Sequence, residues 1–152
     1  MKALNEACQT IVATVDGALA CGIVDLPSGD MIARATAGAY STEYTLEIEG
    51  ERKDIFDVVA AATVDLFRGD NVGMIEQDVR AHRGVPENGE HYLEEVFMSS
   101  KYLYHFGKVI ANGETVIMLV TRNTANLGLG WARLKGALPT IEPLVLRYHQ
   151  TH

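Results

Sequence analysis

This 152-residue sequence lacks the features that mark several protein classes. It has no basic cluster larger than Arg52-Lys53 and a formal net charge of −7, so we do not expect it to bind nucleic acid, which requires concentrated positive charge. No segment reaches the roughly 18 consecutive apolar residues of a membrane span. The N-terminal residues contain no unbroken apolar stretch of a secretory signal peptide. We therefore expect a cytoplasmic protein.

The sequence also contains few residues arranged for catalysis or metal binding. Its two cysteines, Cys8 and Cys21, share no motif spacing and are expected to be buried thiols without a structural disulfide. No nucleophile elbow and no phosphate-binding glycine loop with its lysine is present. The five histidines show no metal-ligand spacing; they are His82, His91, His105, His149 and His152. We expect no catalytic residue, no metal and no cofactor, and hence no enzyme.

The most distinctive segment that is present predicts three antiparallel strands. Three segments are rich in β-branched and aromatic residues, namely Glu94–Ser100, Tyr102–Ala111 and Thr115–Thr121. Asn112-Gly113 lies between the last two and favours a type I′ hairpin turn, because both residues tolerate positive φ angles. Val116–Val120 is wholly apolar, which predicts a central strand with both faces covered.

The first part of the chain predicts a helix followed by a hairpin. A stripe of apolar residues with helical spacing predicts a helix over residues 2–15; its members are Leu4, Ala7, Cys8, Ile11, Val12 and Val15. Ala18–Leu26 and Met31–Ala37 then predict two strands joined by a turn that contains proline and glycine. The small residues of the first strand, Gly22 among them, suggest a helix packed closely over it.

The middle of the chain predicts a helix with two adjoining apolar lines. Ser41 or Thr42 is a candidate cap for a helical region whose pattern strengthens from Arg52. The first line contains Ile55, Val59, Ala62 and Leu66, and the second contains Phe56, Ala60, Thr63 and Phe67. Such a helix either lies in the centre of the domain or packs one line on the sheet and the other on a partner.

The remaining segments predict two more helices and a loop. A short helix is expected after the candidate cap Asp70-Asn71, and a flexible loop over residues 80–91. A final helix holding Leu127, Leu129, Trp131, Leu134 and Leu138 has Asn123, Thr124 or Asn126 as its candidate cap. Pro139 and Pro143 are expected to interrupt regular structure. We therefore predict one domain over residues 1–152, with a C-terminal extension from about residue 139.

The order of these elements resembles that of the roadblock family, whose relatives include bacterial regulators of small Ras-like GTPases. The resemblance rests on the N-terminal helix running into Val15–Asp25, the turn Ser28-Gly29, the apolar helix Ile55–Phe67 and the three strands that end in Asn126–Leu129. It implies an α/β fold, an α+β sandwich of profilin or roadblock type with the order α-β-β-α-β-β-β-α. A five-stranded antiparallel sheet would carry helices on both faces.

The resemblance also implies a homodimer, in which the middle helices pair and an edge strand extends the sheet. The residues expected at this interface are Ile55, Val59, Ala62, Leu66, Val96 and Met98. A small GTPase or another protein would be the partner of a non-enzymatic scaffold or regulator. The alternative is a domain of profilin-like or PAS-like shape that senses a small molecule held between sheet and helix, which would require a cavity with convergent polar groups.

Overall fold

A computed structural model describes residues 2–37, 45–48, 51–84, 91, 93–110 and 113–151. Within these ranges the chain forms helices and strands in the order α1 (Lys2–Thr14), β1 (Ala18–Asp25), β2 (Asp30–Thr36), β3 (Thr45–Ile48), β4 (Glu51–Asp54), α2 (Ile55–Arg68), α3 (Asp70–Arg83), β5 (Glu95–Ser99), β6 (Leu103–Ile110), β7 (Thr115–Arg122), α4 (Leu127–Gly136) and α5 (Leu138–Thr151).

Five of the strands form the antiparallel sheet that the resemblance implied. Their order is β2-β1-β7-β6-β5, so β2 and β5 are the edge strands. Each of these strands begins and ends within one residue of the predicted position. β7 is the third of the five strands, and Val116, Ile117 and Leu119 are fully buried in it. The predicted central position of this strand is therefore confirmed.

Three helices cover one face of the sheet. The predicted stripe of α1 packs there, with Cys8 and Ile11 buried against a cluster that also contains Phe106 of β6 and Leu134 of α4. Ile141 and Val145 of α5 complete the same cluster. This face, which we call the α4 side, therefore holds the larger part of the core. In the described chain no helix combines the length and the apolar composition needed to cross a membrane.

The opposite face of the sheet, which we call the α2 side, carries a smaller apolar cluster. Phe67 of α2 is fully buried there against Val116 and Met118 of β7. Helix α3 follows after Gly69 and adds little apolar core, because Glu76 is the buried residue of this helix. The two faces of the sheet are thus covered unequally.

The structure corrects the prediction around the start of α2. Residues 45–48 and 51–54, expected in a helical region that starts after Ser41 or Thr42, instead form a two-stranded antiparallel sheet of β3 and β4, and α2 begins at Ile55. Thr45–Ile48 has the apolar alternation of a strand, which the stronger helical pattern beyond it obscured. The candidate caps Ser41 and Thr42 lie outside the described residues.

The predicted loop and the cap of α3 also differ from the structure. Helix α3 continues to Arg83, so the predicted loop 80–91 begins later, and residues 85–90 lie outside the described ranges. Gly84 ends the helix in the left-handed conformation, with φ of 65°. Gly69 takes the N-cap position, and no side chain caps the helix there.

The prediction that Pro139 and Pro143 interrupt regular structure is wrong. Residues Leu138–Thr151 form the helix α5, with Pro143 inside it. Pro139 lies in the first turn, where a backbone N–H has no partner within the helix and its loss costs little. Ile141 and Val145 are fully buried, and this packing offsets the hydrogen bond that Pro143 cannot donate.

The reason for the glycine in β1 differs from the predicted one. A Cβ atom on Gly22 would lie 2.6 Å from the sulfur of Met31, on the neighbouring strand β2. Gly22 therefore makes room for a side chain of the same sheet, whereas Ala18 and Cys21 of this strand are buried in one cluster with α1, as predicted.

Candidate functional site

Helix α2 has one face on the sheet and one face directed away from it. Ala60, Thr63 and Phe67 are buried, which identifies the second predicted line as the line that packs on the sheet. Of the first line, Ala62 is exposed, while Val59 and Leu66 are half-buried. The surroundings of the Ile55 side chain lie outside the described part of the chain. The doubled apolar surface of α2 is therefore only partly used within the protomer.

Strand β5 forms the sheet edge near this helix. Val96 packs on the same apolar cluster as Leu66 and Phe67, which places it on the α2 side of the sheet. Met98 lies two residues further along the strand, so it points to the same side, where 40% of it is exposed. The structure thus places Val59, Ala62 and Leu66 of the helix, and Val96 and Met98 of the strand, on one side of the molecule.

Histidine and small residues of β6 extend this surface. His105 pairs with Met98 across the two strands and is half-buried on the α2 side. Partial burial lowers the pKa of His105, which favours the neutral ring at neutral pH. Gly107 is opposite Val96, and a Cβ atom there would lie 2.8 Å from the sulfur of Met118. On the α2 side, strands β5 and β6 therefore carry Val96, Met98, Gly107 and a histidine whose neutral form is favoured at neutral pH.

The charge of the edge strand lies on the opposite side of the sheet. Glu95 is 3.0 Å from the ammonium group of Lys135 on α4 and 3.7 Å from that of Lys108 on β6. The hydrogen bond from Lys135 and the positive charge of Lys108 lower the pKa of Glu95. Lys135 also lies over the ring of Trp131, 5.2 Å from its centroid. These contacts hold the Glu95 carboxylate on the α4 side, away from the exposed apolar residues of the α2 side.

The C-terminal end of α2 is fixed to the turn between β6 and β7. The guanidinium group of Arg68 donates hydrogen bonds to the carbonyl oxygens of Phe67 and of Gly113. Gly113 has a φ of 79°, as expected of a glycine in this turn. Helix α2 and the central hairpin are therefore joined by a side chain as well as by packing.

Histidine and carboxylate side chains meet in pairs. His91 lies 3.3 Å from the buried Glu76, and His149 lies 3.1 Å from Asp25. The pair of His82 and Asp78 is exposed on α3. Among the described residues no group of three or more histidine, cysteine or acidic side chains is arranged to hold a metal ion. Of these pairs, that of His149 and Asp25 connects two elements, because it joins α5 to the end of β1.

A groove of about 360 Å³ lies on the outer side of the α4-side helices. It is lined by residues of α1, α4 and α5 that include alanines, threonines and two isoleucines, Ile11 and Ile141, with Arg133 as its charged residue. The alternative function, sensing of a small molecule, requires a cavity between the sheet and a helix. This groove lies between helices and therefore does not supply that cavity.

The fold is that of roadblock/LC7 domain structures, over nearly the whole chain. Similar solved structures include MglB of Myxococcus xanthus, which is 17% identical with a TM-score of 0.64 over 96% of this chain and 90% of that chain. The roadblock/LC7 domain from Streptomyces avermitilis is 10% identical with a TM-score of 0.65 over 94% and 98% of the two chains. The gliding protein MglB of Thermus thermophilus is 15% identical with a TM-score of 0.63 over 93% and 87%. No family model matches the sequence, and the comparison with curated proteins gives no match.

Sequence reasoning missed one residue of the edge strand. Phe97 is 38% exposed and lies on the α4 side, where its ring is 5.2 Å from that of Tyr104 and 5.3 Å from that of Phe106. Alternation along a strand places it opposite to Val96 and Met98. The alternation was present in the sequence, and the resemblance implied an edge strand that contains Val96 and Met98. The sheet order shows that β5 is an edge strand, which leaves Phe97 accessible on its other face.

Proposed function

We propose that this protein is a non-enzymatic regulatory scaffold of the cytoplasm that forms a homodimer and binds a small Ras-like GTPase. The observation that carries the proposal is the partly covered α2 side, where the outer residues of α2 lie on one surface with Val96 and Met98 of β5. The roadblock/LC7 fold supports it, since the family that the sequence resembles includes regulators of such GTPases. Ile55, Val59, Ala62, Leu66, Val96 and Met98 are the proposed contact residues.

The apolar character of this surface supports a stable protein contact. Val59 and Leu66 are half-buried and Met98 is 40% exposed, so a second copy would remove further apolar area from water. Burial of apolar area stabilises by roughly 25 cal/mol per Å² before the costs of association are subtracted. The lowered pKa of His105 favours its neutral form beside Met98, so this histidine adds no buried charge to the contact at neutral pH.

Light scattering on a dilution series eluting from a sizing column tests the assembly. The protomer has a mass of 16.6 kDa, so a dimer has a mass of 2 × 16.6 = 33.2 kDa. We expect Val59→Asp and Ala62→Asp to shift the protein to monomer, because an unpaired charge buried in a contact costs several kcal/mol. Ala62 is exposed in the protomer, so Ala62→Asp separates a loss of assembly from a loss of folding.

Ala61→Asp is the matched control for these variants. Ala61 is exposed on the same helix, but it lies about 100° around the helix from Ala62 and away from the apolar line. We expect this variant to remain dimeric and to keep the helical circular dichroism of the parent. A parent protein that is monomeric at every concentration, or variants of Val59 and Ala62 as dimeric as the control, would contradict the proposed interface.

Binding to purified small Ras-like GTPases of the same organism tests the partner. Each GTPase is loaded with GDP or with a non-hydrolysable GTP analogue and titrated calorimetrically with the parent protein and with the Ala61→Asp control. We expect a complex with one nucleotide state, because a regulator must distinguish the two conformations of the GTPase. Absence of binding in both states for every such GTPase would refute this part of the proposal, while the dimer would stand on the scattering result.

A further inference from the structure

An apolar patch is exposed on the α4 side of the sheet, on the face opposite to the proposed contact surface. The ring of Phe97 on β5 lies 5.2 Å from that of Tyr104 and 5.3 Å from that of the buried Phe106. Trp131 of α4 lies 5.2 Å from the same Phe106 ring. Leu127, one helical turn before Trp131, is 40% exposed. We call Phe97, Tyr104, Leu127 and Trp131 the α4–β5 patch.

Helix α4 packs on β6 and turns a second line of residues toward β5. A Cβ atom on Gly130 would lie 2.8 Å from the Phe106 ring, so the line that contains Gly130 packs on β6. Trp131 and Lys135 follow another line at a spacing of four residues. The ammonium group of Lys135 lies 3.0 Å from the carboxylate of Glu95 on β5. The α4–β5 patch therefore lies in the angle between this helix and the edge strand.

Lysine side chains lie at both ends of the α4–β5 patch. Lys135 and Lys108 lie at one end, 3.0 Å and 3.7 Å from Glu95. Lys101 lies at the other end, in the turn after β5, with its ammonium group 5.4 Å from the centroid of the Tyr102 ring. These three lysines and one glutamate carry a charge of +3 − 1 = +2, whereas the whole chain carries −7. The patch is thus opposite in sign to the net charge of the protein.

The turn that carries Lys101 is bonded to the segment before α4. The backbone amide of Asn123 donates to the carbonyl of Tyr102 at 3.0 Å, and the side-chain amide of Asn123 donates to the carbonyl of Lys101 at 3.0 Å. These bonds fix the turn relative to the start of the helix. A surface that is already ordered loses less conformational freedom when it binds a partner.

We propose that the α4–β5 patch binds an acidic linear segment of another protein, in which an apolar side chain is flanked by carboxylates. The apolar side chain packs between Phe97 and Trp131, and the carboxylates pair with Lys101 and Lys135. This site does not depend on the proposed homodimer or on the proposed GTPase, because it lies on the other face of the sheet.

The dimensions and charges of the patch fit such a segment. A strand rises by about 3.4 Å per residue, so residues 95–99 span about 14 Å, which an extended segment of about five residues covers. The side chain of Lys135 is 50% exposed, and an ammonium group has three donors. Lys135 can therefore bind a carboxylate of the partner while it keeps its contact with Glu95.

Charge disfavours two other occupants of the patch. A second copy presents the same lysines, so two patches placed face to face bring like charges together. An anionic membrane surface is recognised by clusters of about four to eight basic residues, more than lie here, and the net charge of −7 opposes its approach.

Fluorescence anisotropy with designed peptides tests the chemistry of the partner. The probe is a fluorescein-labelled peptide with glutamates on either side of a central Leu-Trp pair. One control peptide has lysines in place of the glutamates, and the other has two glycines in place of the Leu-Trp pair. We expect the probe to bind the parent protein about tenfold more tightly than either control peptide, because both the charges and the apolar side chains contribute.

Matched variants test the location of the site. We expect Leu127→Ser and Lys101→Glu each to weaken binding of the probe about five- to tenfold. Leu146→Ser is the control for the first, because Leu146 is 45% exposed on α5. Arg83→Glu is the control for the second, because Arg83 is exposed on α3 and the charge change is the same. Both controls are expected to bind the probe as the parent does.

The outcomes separate this site from the other occupants and from the proposed dimer. Equal binding of the three peptides, or an equal loss of affinity in the control variants, would overturn the proposal. Loss of the dimer in Leu127→Ser and Lys101→Glu would make the patch an interface between copies. Binding of the parent to phosphatidylserine vesicles that Lys101→Glu abolishes would make it a membrane site, and either result replaces the proposed partner. A monomeric parent that binds the probe as described would overturn the homodimer and support this site.

Discussion

Two glycines in equivalent helical positions are predicted to respond oppositely to the same substitution. Gly130 is the fourth residue of α4, and its amide donates to the carbonyl of Asn126, the N-cap residue. Gly73 is the fourth residue of α3, and its amide donates to the carbonyl of Gly69, again the N-cap residue. Alanine in place of glycine within a helix stabilises by about 0.8–1.0 kcal/mol in the absence of other contacts. Both variants gain this contribution.

The surroundings of the added methyl group decide whether each substitution stabilises or destabilises the fold. At Gly73 no atom lies within 4 Å of the position of the new Cβ, so Gly73→Ala is expected to stabilise by up to about 1 kcal/mol. At Gly130 the Cβ would lie 2.8 Å from Cζ and 3.1 Å from Cε1 of Phe106. The Phe106 ring is fully buried between Phe97 and Trp131, with centroid distances of 5.3 and 5.2 Å, so it cannot move aside freely.

The difference between the two variants isolates the cost of this contact. Overpacking in a well-packed core costs about 1–3 kcal/mol, so Gly130→Ala is expected to be less stable than Gly73→Ala by that amount. For a chain of this length the difference corresponds to roughly 2–12 °C in Tm. Urea denaturation followed by circular dichroism, at one protein concentration, measures it. Equal stabilisation by both substitutions would refute the assigned packing of α4 on Phe106.

Two further predictions concern a carboxylate and a helix cap. Partial burial of Asp25 disfavours its charge, but hydrogen bonds from Ser28 and His149 outweigh this effect and lower its pKa. The contribution of Asp25 to stability is therefore present at neutral pH and lost as the pH falls below about 4. Asp25→Asn should be less stable than the parent by about 1 kcal/mol at pH 7 and as stable as the parent near pH 2. A difference in urea midpoint between parent and variant that stays constant with pH would contradict this. Asn126→Ala removes the oxygen that accepts the Leu129 amide at 2.9 Å and should cost about 0.5–2 kcal/mol in the same assay, whereas an unchanged midpoint would show that the cap adds nothing.

The sheet could be predicted from sequence because its signals are local. The five main strands carry β-branched residues and end at turn residues such as Gly29 and Gly113, both of which have positive φ angles. Helix α5 was missed for a physical reason. Proline removes a hydrogen bond wherever it occurs, but burial of Ile141 and Val145 supplies more stabilisation than this loss, and burial depends on tertiary contacts that a local rule omits.

The candidate site was predictable where its signals are local and not where they depend on tertiary contacts. Helical spacing separated the two lines of α2, and the structure assigns Ala60, Thr63 and Phe67 to the sheet. The importance of Phe97 depends on the position of β5 at the edge, and strand order is a property of the whole sheet. The Arg68 contact with Gly113 joins residues 45 positions apart, and no local pattern indicates it.

The contact of Arg68 has a mechanical consequence for any partner that binds α2. Because the C-terminal end of this helix is bonded to the turn between β6 and β7, the helix cannot slide along the sheet without pulling on that hairpin. β6 is also the strand to which β5 is bonded. A displacement of α2 by a bound protein would therefore be passed through this hydrogen bond to the hairpin of β6 and β7, and through β6 to the edge strand β5.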